Sequence, residues 1–441
     1  MKTRREFLRT TVLGSALSWT VPSFLANTFA ALQMNAADSA TQIVDGRDAT
    51  ILVVLQMAGG NDGLNTVVPF ADDGYVRARP RLGLSAKNVL KLNDRFGLHP
   101  GLTGFKSLFD AGQLGIIQGI GYPNPNRSHF RSTEIWQTAS DANKNEKYGW
   151  LGRYFDNTCS GCDPTIGVNI GRQMPQAFAS KNPTGVSLDN PQNYRFIDSE
   201  QPADGEMAMS EQSFRKLNHP DSETGDGTEA NSGATIGAVA GAMQHVGSPL
   251  DFLERTALDA QISSDKIRAI TSKVQNQAVY PASQLGNSLK LVARLIGGGL
   301  PTRVFYVSQG GYDTHTNQTG AHDRLLQDLG DAVKAFMGDL KAQGNLPRVL
   351  VMTFSEFGRR VSENASGGTD HGAASVMFMA GDKIKAGLLG KYPSLAQADL
   401  VNGDLEYTTD FRSVYAGVLE GWLKTSSEKI LGRKFEPLIC A

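Results

Sequence analysis

Two segments in the C-terminal third concentrate side chains that bind metal ions. The first is Gly310-Gly311-Tyr312-Asp313-Thr314-His315. The second is Ser355-Glu356-Phe357-Gly358-Arg359-Arg360, followed after a short gap by Gly367-Gly368-Thr369-Asp370-His371-Gly372. If Asp313-Thr314-His315 stays extended, carboxylate and imidazole point the same way and can hold one ion. Glu356 closes an apolar run, and Asp370 and His371 lie in a glycine-flanked loop that lets them reach the same place. Oxygen and nitrogen donors without cysteine suit Zn, Mn, Mg or Fe, so one or two divalent ions are expected. Asp62, within Gly59-Gly60-Asn61-Asp62-Gly63, offers a further carboxylate at a strand end. By itself that segment also reads as an Asn-Asp-Gly turn. His322 is either one more ligand or a surface residue.

Ser128, flanked by Arg127 and Arg131, is the candidate nucleophile. A nearby cation would favour its alkoxide, and the arginines would bind an anionic group. The same residues also read as the N-cap of a helix over 130–138 with ordinary surface charges.

Apolar runs that end in glycine or polar residues must position these groups. Ile51–Met57, Leu114–Ile120, Arg303–Val307, Arg348–Phe354 and Val376–Met379 read as buried strands. Leu325, Leu329, Val333, Phe336, Met337 and Leu340 keep the helical period between the third and fourth of them. Strand, amphipathic helix and strand in that order give a crossover and hence a parallel sheet. Further helices are expected over 102–111, 257–274 and 285–295. Strand signals are weak from 159 to 240, and Asp221–Gly233 is polar and Gly-rich. The expected architecture is therefore α/β: a mostly parallel central sheet flanked by helices in one domain over 45–441. A loop-rich, partly helical insertion is expected at about 159–275. In open sheets of this kind, loops at the C-terminal ends of the strands carry the chemistry.

The chain begins Met1-Lys2-Thr3-Arg4-Arg5-Glu6-Phe7-Leu8-Arg9 and continues into a modestly apolar stretch with Gly14, Ser15, Ser18 and Pro22. Residues 1–31 read as a twin-arginine export signal, which makes the twin-arginine translocase a partner during export and the destination periplasmic or extracellular. The apolar part falls short of the roughly 20 residues a span needs, so the mature form has no stable membrane span. Ala26–Ala40 contains no clean cleavage site, and an uncleaved signal would act as a tether. Net charge over the 441 residues is −1, and the signal is itself basic, so the remainder is mildly acidic and nucleic-acid binding is excluded. Of three cysteines, Cys159 and Cys162 are spaced for a local disulfide in an oxidising compartment, leaving Cys440 free.

Taken as a set, Leu55-Gln-Met-Ala-Gly-Gly-Asn61-Asp62-Gly-Leu-Asn-Thr66, Arg127-Ser128-His129-Phe-Arg131, Gly-Tyr-Asp313-Thr-His315, Ser-Glu356-Phe-Gly-Arg-Arg360 and Gly-Thr-Asp370-His371-Gly resemble an exported bacterial family, domain of unknown function 1501. That family resembles a remote branch of the alkaline phosphatase and sulfatase superfamily. The resemblance implies a two-metal hydrolase of phosphate or sulfate esters, with a small anionic ester or a sulfated or phosphorylated glycan as substrate. It implies Asp62, Asp313, His315 and His371 as ligands and Ser128 as nucleophile. Asp-x-His stands where the superfamily commonly has Asp-x-x-x-His, and Glu356-Phe357 stands where it has Asp-His. A second ion would then need Asp370, His129 or His322. Loss of the Asp-His pair favours the alternative of a non-catalytic envelope binding or assembly protein that keeps the fold and one metal.

Overall fold

A computed structural model describes residues 49–159, 163–181, 184–191 and 263–438. The export signal, Cys162, Cys440, the Asp221–Gly233 loop and the first residues of the 257–274 helix lie outside the described residues.

Among the described residues twelve strands follow in chain order: β1 (Ile51–Met57), β2 (Val67–Val68), β3 (Leu90–Lys91), β4 (Gly97–Leu98), β5 (Leu114–Gly121), β6 (Gly167–Ile170), β7 (Val186–Leu188), β8 (Val304–Gln309), β9 (Val349–Phe354), β10 (Ser375–Ala380), β11 (Gly387–Leu389) and β12 (Thr409–Asp410). Nine of them form one sheet in the order β11-β5-β10-β9-β1-β8-β6-β7, with β12 beside β5. The remaining three make a small antiparallel sheet.

β1 is buried along its whole length, as a central strand covered on both faces must be. Its side chains alternate between two cores: Ile51, Val53, Leu55 and Met57 face one, Leu52 and Val54 the other. The first core is closed by helices Thr103–Asp110, Gln284–Gly297 and Gln318–Ala342, the second by His129–Thr138, Trp150–Thr158 and Phe411–Gly417. Helix Gln318–Ala342 carries the chain from β8 to β9, and both strands pair parallel with β1 from opposite sides.

Two features differ from the sequence reading. β6 and β7, within the stretch read as an insertion, extend the main sheet in parallel. Their runs are too short for a periodic signal to stand out. β10 runs antiparallel to β5 and β9. Its N-terminal end therefore shares an edge with the C-terminal ends of β1, β5, β8 and β9. The loop that precedes β10 arrives at that edge directly.

Candidate metal centre

Loops from four strand ends meet at this edge: 58–62 after β1, 122–129 after β5, 310–317 after β8 and 355–359 after β9. The 367–374 loop before β10 joins them. Close backbone contact requires glycine at two places. Gly59 adopts φ +121°, and a Cβ there would lie 2.5 Å from Asp313 N. A Cβ on Gly368 would lie 2.3 Å from the carbonyl carbon of His315, so only glycine lets the 367–374 loop settle against the 313–315 segment.

Asp313 is the focus of the cluster. His371 Nε2 and His315 Nε2 each lie 3.1 Å from its Oδ1 and 2.9 Å from one another, and His129 Nε2 lies 3.4 Å from its Oδ2. His129, Asp313 and His371 offer donor atoms all within 4.8 Å of one another. The opposite nitrogen of each ring is engaged. His129 Nδ1 meets Glu356 Oε1 at 2.9 Å, His315 Nδ1 meets Asp370 Oδ1 at 3.2 Å, and His371 Nδ1 meets the Arg127 carbonyl at 2.8 Å. Carboxylate and carbonyl oxygens accept, so each Nδ1 carries the proton and each Nε2 turns a lone pair toward Asp313.

Two imidazole lone pairs 2.9 Å apart beside a carboxylate repel unless a cation or proton lies among them. Ligands about 2.1 Å from an ion are about 3.0 Å apart at right angles and about 3.4 Å apart in a tetrahedron, and the His315, His371 and Asp313 triangle lies at the short end of that range. Nδ1 held by a carboxylate or carbonyl while Nε2 is free is the arrangement that fixes histidine ligands. The donor set fits a divalent ion.

Asp313 is held by Arg359, whose Nη2 donates to Oδ1 at 2.7 Å. Burial pushes the Asp313 carboxyl up, but the Arg359 hydrogen bond and charge bring it down to about 2, His371 and His315 adding to this when no ion is bound and their rings are protonated. Arg359 is itself buried and also donates to the carbonyls of Gly59, Gly60, Tyr312 and Thr369, tying the loops after β1 and β8 to the loop before β10. The Asn364 amide lowers the Asp370 carboxyl against the opposing pull of burial, and the contact with His315 lowers it further. Glu356 Oε1 also accepts from Gly59 N at 2.8 Å, while Glu356 Oε2 is buried without a partner.

Of the residues expected to bind metal, Asp313, His315 and His371 meet. Glu356 and Asp370 instead orient His129 and His315 from behind. Asp62 is engaged elsewhere. It is buried, its Oδ2 accepts from Arg79 Nη1 and Gln318 Nε2, both at 2.5 Å, and it caps the short helix Gly63–Thr66. Burial pushes its carboxyl up, and the charge and hydrogen bond of Arg79 more than offset that, leaving it below the ordinary range. Its other oxygen, Oδ1, accepts only a long 3.4 Å bond from Asn65 N. His322 is also buried apart from the cluster, 3.0 Å from Asn61 Oδ1.

Ser128 is exposed at the N-cap of helix His129–Thr138, and its side chain makes no capping bond. The Arg127 guanidinium is half exposed and paired with the buried Asp404. Arg131 is not free for an anion: it donates to the carbonyls of Asp141 and Ala142 and pairs with Glu134 at 2.7 Å. The structure brings the His129 ring to Asp313; the sequence reading gave Ser128 the part of nucleophile and named its neighbour His129 only as a substitute ligand. It overlooked Arg359 altogether, since an Arg-Arg pair gives no sign of which member is buried.

Among the described residues no helix is long and apolar enough to cross a membrane. Cys159 is disulfide-bonded, and its partner lies outside the described residues.

Residues 49–431 match the family described as Protein of unknown function (DUF1501), and the chain belongs to that family. No curated protein matches it. Similar solved structures include the C-terminal periplasmic domain of EcEptC from Escherichia coli in complex with Zn (8% identity, 79% of this chain and 78% of that chain, TM-score 0.36). Another is a protein in the alkaline phosphatase superfamily from Vibrio parahaemolyticus (9% identity, 95% and 78%, TM-score 0.36). A third is the phosphonate monoester hydrolase of Agrobacterium radiobacter (10% identity, 88% and 78%, TM-score 0.34).

Proposed function

We propose that this chain is an exported, metal-dependent hydrolase of phosphate or sulfate esters. The observation that carries the reading is the convergence of three imidazole Nε2 atoms on Asp313 while each Nδ1 is held. His129, His315, His371 and Asp313 would hold one divalent ion, and three imidazoles favour zinc, iron or manganese over magnesium. Such an ion supplies a Lewis acid for an ester oxygen and an acidified water. Glu356, Asp370 and the Arg127 carbonyl keep the three rings in register. Ser128 presents a free hydroxyl next to the ligand His129, and the half-exposed Arg127, although paired with Asp404 through Nη2, has further guanidinium donors at the mouth for an anionic group. Among the described residues His371, His129, His315 and Asp313 are only partly covered, which leaves the cluster open to a substrate from solvent.

The test is metal content and turnover of p-nitrophenyl phosphate and p-nitrophenyl sulfate by the purified protein. Asp313→Ala should lose both, whereas Ser128→Ala should keep the metal and lose turnover if the serine is the nucleophile. The pairing of Asp62 with Arg79 supports the second reading, a non-catalytic envelope component with one ion, because it removes a carboxylate that a second ion would need. Full metal occupancy with no turnover of either ester would make that second reading the better one. Export through the twin-arginine pathway rests on Arg4 and Arg5. Replacing both with lysine should leave the protein in the cytoplasm, and unchanged periplasmic recovery would count against it.

A further inference from the structure

Behind the metal centre, one buried amide joins two of the loops that carry its ligands. Gln318 opens the helix that follows β8, and its Oε1 accepts from Thr314 Oγ1 at 3.1 Å and from Thr369 Oγ1 at 2.7 Å. Thr314 stands between Asp313 and His315, and Thr369 immediately precedes Asp370 and His371. On its other side Gln318 Nε2 donates to Asp62 Oδ2 at 2.5 Å. A carboxylate paired with an arginine can only accept, so the amide turns its NH2 to Asp62 and its oxygen to the threonines, and both hydroxyls must donate to that oxygen. Oε1 is therefore the atom that joins the loops, and Asp62 only sets which way the amide faces. Gln318, Thr314, Thr369 and Asp62 are all buried, so water does not compete for these bonds.

The loops need such a tie. The main-chain bond from Thr369 N to Thr314 O is long, at 3.3 Å, and Gly367, Gly368 and Gly372 give the second loop little stiffness of its own. Ligand distances around an ion must hold to within about 0.2 Å. We propose that Gln318 is a positioning residue of the metal centre: its amide oxygen fixes the spacing of Thr314 and Thr369, and through them the placement of Asp313, His315 and His371. The proposal rests on the reading of this cluster as an ion site and not on ester hydrolysis. Arg359 reaches the same loops through their carbonyls and through Asp313 itself. Among the described residues Gln318 bonds to no ligand side chain, so it acts on the ion through geometry alone.

The experiment measures zinc affinity of the full protein by competition with a chelator, together with the visible spectrum of the cobalt(II)-loaded protein, which reports coordination geometry. Gln318→Leu should bind zinc about tenfold or more weakly and should alter the cobalt bands. Thr314→Val with Thr369→Val nearly keeps the side-chain volumes and should give a similar loss. Combining all three substitutions should lose no more than either set alone, because each set removes the same bonds. Tyr280→Phe removes a hydrogen bond to Asp339, near the far end of the same helix. It should lower stability yet leave zinc affinity and cobalt bands as in wild type, which separates positioning from general weakening of the fold. If Gln318→Leu does not fold, the two-valine variant decides by the same measures. Wild-type affinity and bands in the Gln318 or two-valine variant, or additive losses in the triple variant, would overturn the role of Gln318 while leaving the ion site standing. Wild-type protein that takes up neither zinc nor cobalt would overturn both.

Discussion

Replacing Arg79 with methionine removes the cation against which Asp62 is buried. Neither side chain is open to solvent, at 0% and 1%. Arg79 Nη1 serves both Asp62 Oδ2 at 2.5 Å and Asn65 Oδ1 at 2.8 Å, and Nε and Nη2 serve the carbonyls of Val361 and Arg360. Without it the carboxylate keeps one strong donor, the neutral amide of Gln318, and breaking such a buried pair costs about 3–5 kcal/mol. The Asp62 carboxyl is held below its ordinary value, so the pair contributes fully above the unfolded carboxyl pKa of about 3.9 and is lost as pH falls through the lower folded value. A neutral buffer therefore exposes the whole effect. Urea unfolding of wild type, Arg79→Met and Arg79→Met with Asp62→Leu reads it directly. The single variant should lose about 3–5 kcal/mol, and the double variant should recover much of that because no unpaired charge remains. Bound metal per folded molecule should be unchanged in both. A loss under about 1 kcal/mol would refute the buried-pair argument. A folded Asp62→Leu protein that has lost its metal would return Asp62 to the ligand set.

His322 is buried neutral, its pKa pushed down to about 3 first by burial. The unfolded chain protonates it near 6.5, so stability should fall with acidification from about pH 6.5 by up to about 1.4 kcal/mol per unit, and His322→Gln should flatten that slope in unfolding titrations. An unchanged slope would mean that other groups carry it. Glu356→Gln should weaken metal binding about 10–100-fold in competition with a chelator, since Glu356 fixes His129 through Nδ1; wild-type affinity would remove Glu356 from that role. Peptide mapping of unreduced, alkylated protein should find Cys159 cross-linked to Cys162 and Cys440 labelled. A Cys159–Cys440 link would overturn the local loop.

The strands that carry the site were legible because each is a continuous apolar run closed by glycine or a polar residue. The helix between β8 and β9 was legible through its period. The direction of β10 was not, since an apolar run reads the same in either direction and only the pairing with β5 and β9 sets it. Asp313, His315 and His371 stood out as carboxylate and imidazole at strand-end loops. His129 was harder to read because its partner Glu356 is 227 positions away, and no local spacing reveals an imidazole pinned from that distance. The pairing of Asp62 was hidden for the matching reason. Its neutralising arginine lies 17 residues on, just past a short helix, where an arginine ordinarily faces solvent.

X-ray absorption of protein purified from its native compartment and loaded with zinc tests the metal centre most directly. The geometry predicts one ion with three imidazole nitrogens and a carboxylate oxygen at about 2.0–2.2 Å, falling to two imidazoles in His129→Ala. A site with no imidazole scattering, or one that His129→Ala leaves unchanged, would contradict it.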